Sequence, residues 1–393
     1  MKISKRGLLI GSTAAILASG LGASGAMAEG TIKIGVILEY SGPFAVQAKE
    51  IDNGINLALE QRGDSIAGKK IEIIRKDTGG PKPDVAKRLA TELVTRDKVD
   101  MLAGVVLTPN ALAIADVATQ AKVPFVIMNA ATSIITAKSP YIVRFSFTLP
   151  QVSAPLAEWA FKNGIKEAYT LVSDYGPGLD AEASFKKAFT AAGGKIVGDV
   201  RVPLSNPDFA PYVQRVKDAK PQAVFVFVPA GAQAIGLMKA AAERELVKSG
   251  IQMIGTGDMT DDAVLQSMGD AALGLVTSHH YSYAHKSPHN KAFTDGVEAI
   301  DNSLRPDFMT VGGYDGMIAI YKVIEQLKGK MDGDKAMAIF KSMKFESPRG
   351  PIAIDPATRD IVQDVYIRRV EKVGDKLVNV EFDKIPSVKD PGK

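Results

Sequence analysis

The chain has 393 residues, 46% of them hydrophobic, with no cysteine and 48 basic against 44 acidic side chains. The lack of cysteine excludes disulfides, thiol catalysis, cysteine–zinc sites and a lipid-modified cysteine anchor. Lys2, Lys5 and Arg6 account for the charge excess of the first 28 residues, so the rest is nearly neutral, at 45 basic against 44 acidic. Its basic residues are scattered, with no stripe and no interleaved aromatics, which argues against nucleic acid as a partner.

Residues 1–28 read as an export signal. A basic start is followed by the small, apolar stretch Gly7–Leu21 and by Ala26-Met27-Ala28, which predicts cleavage after Ala28. Ser4-Lys5-Arg6 only partly matches a twin-arginine signal, so the general secretory route is expected. An exported protein works away from ATP and NAD, which favours capture and delivery over most metabolic catalysis. Residues 29–393 suffice for a core that needs no disulfides, most simply as two domains. No later stretch has 18 uninterrupted apolar residues.

Strand-length apolar runs begin at Ile32–Leu38, Ile71–Ile74, Met101–Val106 and Phe125–Met128. Others follow at Ala168–Val172, Ala223–Val228, Ile251–Ile254 and Leu273–Thr277. Several are apolar throughout, as parallel strands covered on both faces must be. Helical patterns separate them. Val85, Leu89, Leu93 and Val94 recur at near-helical spacing, Pro83 ends the preceding loop, and Asp84 is placed as the cap. The alternation predicts α/β architecture in two doubly wound parallel-sheet lobes. The first lobe ends near Tyr141–Pro150, where Arg144-Phe145-Ser146-Phe147 alternates like a strand and Pro150 opens a helix. In open α/β sheets, ligands bind at the carboxyl ends of strands, beside helix starts. This selects the loops Tyr40–Phe44, Val106–Asn110, Asn129–Thr132, Ser173–Gly178, Pro229–Ala232 and Gly255–Thr260.

The order and spacing of three motifs carry a family resemblance. They are Ile34-Gly35-Val36 with Ser41-Gly42-Pro43-Phe44, the block Gly104–Thr132 ending Asn129-Ala130-Ala131-Thr132, and Asp174-Tyr175-Gly176-Pro177-Gly178. The chain resembles the type I periplasmic binding proteins of the leucine/isoleucine/valine class, the soluble receptors of ABC importers. The resemblance implies a monomeric periplasmic receptor for a small carboxylate, an inner-membrane permease as partner, no cofactor and no metal. It also implies a three-strand hinge. Lobe one is then 29–148 plus 281–355, and lobe two 149–280 plus 356–393.

The same resemblance implies that Thr108 or its neighbours hold the ligand carboxylate, with Ala130, Ala131 and Thr132 completing that site. It has Tyr175 closing over the ligand. An acid after a later strand pairs with the amino group of an amino-acid ligand in such proteins. Here Gly255-Thr256-Gly257-Asp258-Met259 keeps that glutamate pattern poorly, which turns the expectation toward an aromatic acid such as a benzoate derivative. A branched-chain or other hydrophobic amino acid is the alternative. Hydroxyls and free N–H groups at a helix start suit an anion. Tyr40, Phe44, Leu107, Tyr175, Met259 and Tyr281 suit a greasy or flat body. With Asn129, Pro229 and His280, these complete the expected ligand-contacting set.

Plainer roles stand beside these. Thr108 and Thr132 suit helix caps, and Asp258 suits one better than it suits an amine. Phe44 suits core packing, Arg144 a structural ion pair, and Trp159 helix packing. The four histidines, His279, His280, His285 and His289, lack metal-site spacing because Pro288 interrupts them. They read as an exposed loop, with His280 or Tyr281 touching ligand at the rim. No nucleophile elbow, zincin motif, phosphate loop or complete dinucleotide fingerprint occurs. An exported hydrolase, the rival class, would need a nucleophile–base pair from that one histidine segment.

Overall fold

The structure, a computed structural model, describes residues 30–205, 207–300 and 305–392. The expected export signal lies outside them. Strand β1 (Thr31–Leu38) is buried without a break from Ile34 to Leu38, because helices cover both of its faces. The chain continues through α1 (Ala45–Arg62), β2 (Ser65–Ile66), β3 (Lys69–Asp77), α2 (Pro83–Thr95), β4 (Met101–Gly104), α3 (Thr108–Ala121), β5 (Phe125–Ile127) and β6 (Ile142–Arg144). These strands form a sheet of order β2-β3-β1-β4-β5-β6. All its pairings are parallel except the short β2–β3 turnback.

Then follow α4 (Leu149–Lys162), β7 (Glu167–Ser173), α5 (Gly176–Ala191), β8 (Lys195–Val202), α6 (Ala210–Ala219), β9 (Ala223–Phe227), α7 (Ala232–Glu243), β10 (Gln252–Thr256) and β11 (Val276–His279). The chain next returns to the first lobe as α8 (Pro288–Ile300), α9 (Phe308–Gln326) and α10 (Gly333–Lys341), with α9 lying along α1. It ends with β12 (Lys344–Ser347), β13 (Gly350–Ile354), β14 (Ile361–Val373) and β15 (Lys376–Val388). The second sheet runs β12-β13-β14-β11-β10-β9-β7-β8, with β15 also on β14. It is parallel from β8 to β11 and antiparallel beyond. Strands β12 and β13, within the stretch assigned to lobe one, thus hydrogen-bond into the larger sheet.

The chain crosses between sheets near residues 144–149, 279–288 and 341–344. Buried ion pairs stiffen these crossings. Arg144 Nε lies 3.1 Å from Asp360, the structural ion pair expected as its plainer role. Arg349 pairs with Asp315 at 2.7 Å and donates to the Ser146 carbonyl at 3.0 Å. Trp159 packs edge-on against Phe382.

Two local expectations change. The N-cap of α2 is Lys82, while Asp84 sits inside the first turn, where its charge still favours the helix dipole. Strand β6 ends at Arg144, and Phe145 and Phe147 go into the core instead of extending it. The polar end is held down, with Asp390 accepting from Ser133 at 2.9 Å and Thr148 at 3.0 Å.

Each sheet reverses its strand order once within its parallel part, between β1 and β4 in the first and between β7 and β9 in the second. At such a point adjacent helices leave on opposite faces and open a crevice at the strand ends. The two crevices face each other.

Candidate functional site

Five helix starts meet at these crevices. Phe44, Leu107 and Tyr175 occupy the N-cap positions of α1, α3 and α5. Ala230 precedes Gly231, the N-cap of α7, and Met309 is the second residue of α9. With Gln47, Val106, Asn129, Pro229 and Asp258, they line a cavity of about 30 Å³ between the lobes.

None of Phe44, Leu107, Tyr175 or Gly231 makes a side-chain capping bond. Helices α4, α9 and α10, in contrast, are capped by Thr148, Asp307 and Asp332. An N-cap normally carries Ser, Thr, Asp or Asn, whose oxygen accepts from the first turn. Apolar residues and glycine leave those N–H groups without that acceptor, and the helix dipoles add positive potential. The cavity therefore favours an anion without offering a full counter-charge.

The loop after β4 is shaped by Val105, which holds φ +56°. That left-handed value is strained for a β-branched residue. It turns the chain so that Val106 and Leu107 face the cavity while their N–H groups donate to Glu39, at 2.9 and 3.3 Å. Burial pushes the Glu39 carboxyl up to about 7, against those bonds and one from Asn110.

The walls are flat and apolar. Tyr175 stacks on Phe227, with centroids 6.1 Å apart and planes at 22°. The uncommitted side-chain polar atoms of Gln47 and Asn129 are acceptors. Gln47 gives its amide N–H to the Ala230 carbonyl at 2.8 Å, and Asn129 gives its own to the Val106 carbonyl at 3.0 Å. Their side-chain oxygens are left buried without partners. Asp258 accepts from the Thr256 hydroxyl at 2.8 Å. Burial pushes it up to about 6, opposed by that bond and by Arg368. It sits in the short 3₁₀ turn Gly257–Thr260 and caps no helix, contrary to the plainer expectation.

Of the expected set, Phe44, Leu107, Asn129, Tyr175, Pro229 and Asp258 come together at this cavity. Phe44 is also core, at 4% exposure. Gln47 and Met309 were missed. Gln47 lies in an ordinary helical stretch, but apolar residues at successive N-cap positions were a readable signal for the helix starts.

The other expected residues stand off the wall. Tyr40 donates to Asp52 at 3.0 Å, beside Arg75, so its hydroxyl is turned to the α1 surface. Thr108 is the first residue of α3 and Thr132 holds the N-cap position of the 3₁₀ turn Ser133–Lys138 without a side-chain cap bond; the two share a 2.9 Å hydroxyl bond. They pack against Gly176, where an added Cβ would lie 3.0 Å from the Thr132 oxygen. Ala130 and Ala131 are buried in the core. Met259 lies in the second-lobe core. His279 and His280 are wholly buried, not in an exposed loop, because Phe147 and Phe308 enclose them. Burial holds both rings well below the usual imidazole range, hence neutral. Tyr281 donates to Asn290 at 3.0 Å and packs edge-on against Phe293. His285 bonds Glu381 at 2.9 Å.

The lobes are shut on one another. Gln47 reaches Ala230 from lobe one to lobe two, and the Ser133 N–H donates to Asp180 at 2.8 Å. Outside the cavity lies a larger hollow of about 310 Å³, bounded by Pro43 and Pro81 on one side and by Leu204, Phe209 and Gly236 on the other. Phe44, Gln47 and Ala230 border both spaces and partition them. Among the described residues, the acidic group close enough to hold a metal is Glu50, Asp261 and Asp307, with no histidine in it.

Two facing α/β lobes shut over a cavity at their switch points define a solute-binding protein. Residues 31–375 match the periplasmic binding protein family, and the chain belongs to that family. It is 44% identical to Leu/Ile/Val-binding protein homolog 6 of Brucella melitensis over 374 residues, covering 95% of this chain and 96% of the relative. Among solved structures it resembles an ABC-transporter solute-binding protein of Rhodopseudomonas palustris BisB5 in complex with 3,4-dihydroxybenzoic acid. The TM-score is 0.90 at 57% identity, over 92% of this chain and 99% of that one. A counterpart from Rhodopseudomonas palustris HaA2, in complex with p-hydroxybenzoic acid, aligns with a TM-score of 0.90 at 45% identity, again over 92% and 99%.

Proposed function

We propose that this chain is the periplasmic receptor of an ABC importer for a small aromatic carboxylate of the hydroxybenzoate kind. The observation that carries the reading is the cavity itself, in which uncapped helix starts face flat apolar walls. The carboxylate is received by first-turn N–H groups of α3 and α5, near the Thr108 and Thr132 hydroxyls. The ring lies against Phe44, Leu107 and Tyr175. Resemblance to relatives solved with benzoate-type ligands supports the same class.

The lobes are taken as 29–148 with 281–355, and 149–280 with 356–393, with β12 and β13 bridging them. The cavity as closed is far smaller than the ~150 Å³ space that holds a benzene in other proteins. A ring therefore enters with the lobes parted and Phe44 and Gln47 swung aside, which joins the inner and outer spaces. Closure then contacts the ligand from both sides, and the closed form docks on the permease.

The test is a thermal-shift panel of benzoate, 4-hydroxybenzoate, 3,4-dihydroxybenzoate, leucine and isoleucine on the mature chain. Ligands that bind the native state raise Tm by mass action. Shifts by the benzoates alone are expected. Shifts by leucine or isoleucine without the benzoates would overturn the reading.

A further inference from the structure

The cavity is lined by side-chain oxygens with nothing to accept from. Gln47 and Asn129 each hold their N–H donor against a backbone carbonyl, which fixes which end of the amide points away from it. The oxygens Gln47 Oε1 and Asn129 Oδ1 are consequently buried and unpaired. Asp258, at 6% exposure, adds a carboxyl that accepts from the Thr256 hydroxyl at 2.8 Å, with the His279 Nε2 3.8 Å from the same oxygen. A buried acceptor left unmatched is costly, so a ligand that supplies donors is strongly preferred over one that does not.

We propose that Gln47, Asn129 and Asp258 form an accepting face that reads a ring hydroxyl and thereby selects phenolic acids over unsubstituted or halogenated benzoates. The inference rests on the aromatic-acid reading above and assigns the group that discriminates within that class. The shared chemistry is a hydrogen-bond donor, which an amino-acid ammonium also supplies. The hydroxyl fits better because Arg368 is already there. It is buried, donates to the Gly257 carbonyl at 3.4 Å, and contributes positive charge at Asp258. A second full cation would be brought in beside the first, whereas a neutral hydroxyl is not repelled.

The experiment is calorimetric titration of the mature chain with 4-hydroxybenzoate, 4-fluorobenzoate and leucine, on wild type and Asp258→Asn. The two benzoates share a carboxylate and a similar outline but differ in the donor. Wild type should bind the hydroxy acid about 10- to 100-fold more tightly than the fluoro acid. Asp258→Asn replaces one accepting oxygen with a donor and should narrow that gap by weakening the hydroxy acid more than the fluoro acid. If the variant does not fold, the wild-type gap between the two benzoates still decides. Equal wild-type affinities, or an undiminished gap in Asp258→Asn, would overturn the hydroxyl reader and leave the aromatic-acid reading standing. Binding of leucine with neither benzoate bound would overturn both.

Discussion

Glu50 and Asp261 approach each other from opposite lobes, their carboxylate oxygens within 4.8 Å of one another and of Asp307. Glu50 is on α1, Asp261 follows the 3₁₀ turn after β10, and Asp307 caps α9. One oxygen of each is buried with no donor from the rest of the chain, so these oxygens face one another. Burial and mutual repulsion raise Glu50 and Asp261 well above the carboxyl range, and burial raises Asp307. Asp262, which repels Asp261, and Arg368, which is attracted to it, are the other charges bearing on the group.

Such acids share protons when the lobes are shut, so stability and closure depend on pH. For an acid raised in the folded state, the contribution is present below the unfolded pKa, about 4. It is lost as pH rises through the folded value. Asp258 and Glu39 add the same sign, with folded values of about 6 and 7. The expected outcome is a Tm and a ligand affinity that decline between pH 5 and 8. Glu50→Gln removes one ionisable member and flattens both curves. A variant as steep as wild type would place the dependence elsewhere.

Gly231 tests how closely the lobes must meet. It holds φ +79°, and a Cβ there would lie 2.6 Å from the Gln47 amide nitrogen. Gly231→Ala is strained at that φ by about 1 kcal/mol and pushes away the side chain that bonds Ala230. Ligand affinity is expected to fall about tenfold, with a larger radius of gyration by small-angle scattering in saturating ligand. Unchanged scattering and affinity would show that the Gln47 contact does not limit closure.

Arg349 and Asp315 form a wholly buried pair beside the crossing segments. Removing one member leaves a charge without its partner, so Arg349→Leu is expected to destabilise by about 3–5 kcal/mol in urea titration. Arg349→Leu with Asp315→Leu should recover part of that loss, because no uncompensated charge remains.

Much of this site was legible because the rule that selects it is local. Apolar runs such as Ala223–Val228 announce covered parallel strands, and the loops at their ends contain Phe44, Leu107, Asn129, Tyr175, Pro229 and Asp258. The failures share a cause in long-range partners. Tyr40 is turned aside by Asp52 and Arg75, which pattern reading treats as ordinary helix and strand surface. His280 is buried by Phe147 and Phe308, from segments far along the chain. Gln47 carries no signal of its own, since its role depends on a carbonyl 183 residues away. Strands β14 and β15 escaped notice because charged residues such as Glu371, Lys372, Glu381 and Asp383 interrupt their apolar pattern.

Tyr175 offers the sharpest test of the uncapped helix starts. Its extended backbone, φ −160° and ψ 174°, is the conformation an N-cap residue adopts, yet its phenol cannot serve α5. Tyr175→Asp places a carboxylate there. The new cap contributes about 1 kcal/mol, offsetting part of the lost stacking on Phe227, so Tm without ligand should change little. The same carboxylate occupies the first-turn N–H groups and repels an incoming anion. Affinity for 4-hydroxybenzoate should therefore fall at least about 100-fold, a change of about 2.7 kcal/mol. Tyr175→Leu removes the ring without filling the helix start, and should weaken binding only about tenfold. Equal losses in the two variants would mean that Tyr175 acts through its ring alone and that the α5 N-terminus does not receive the ligand's charge.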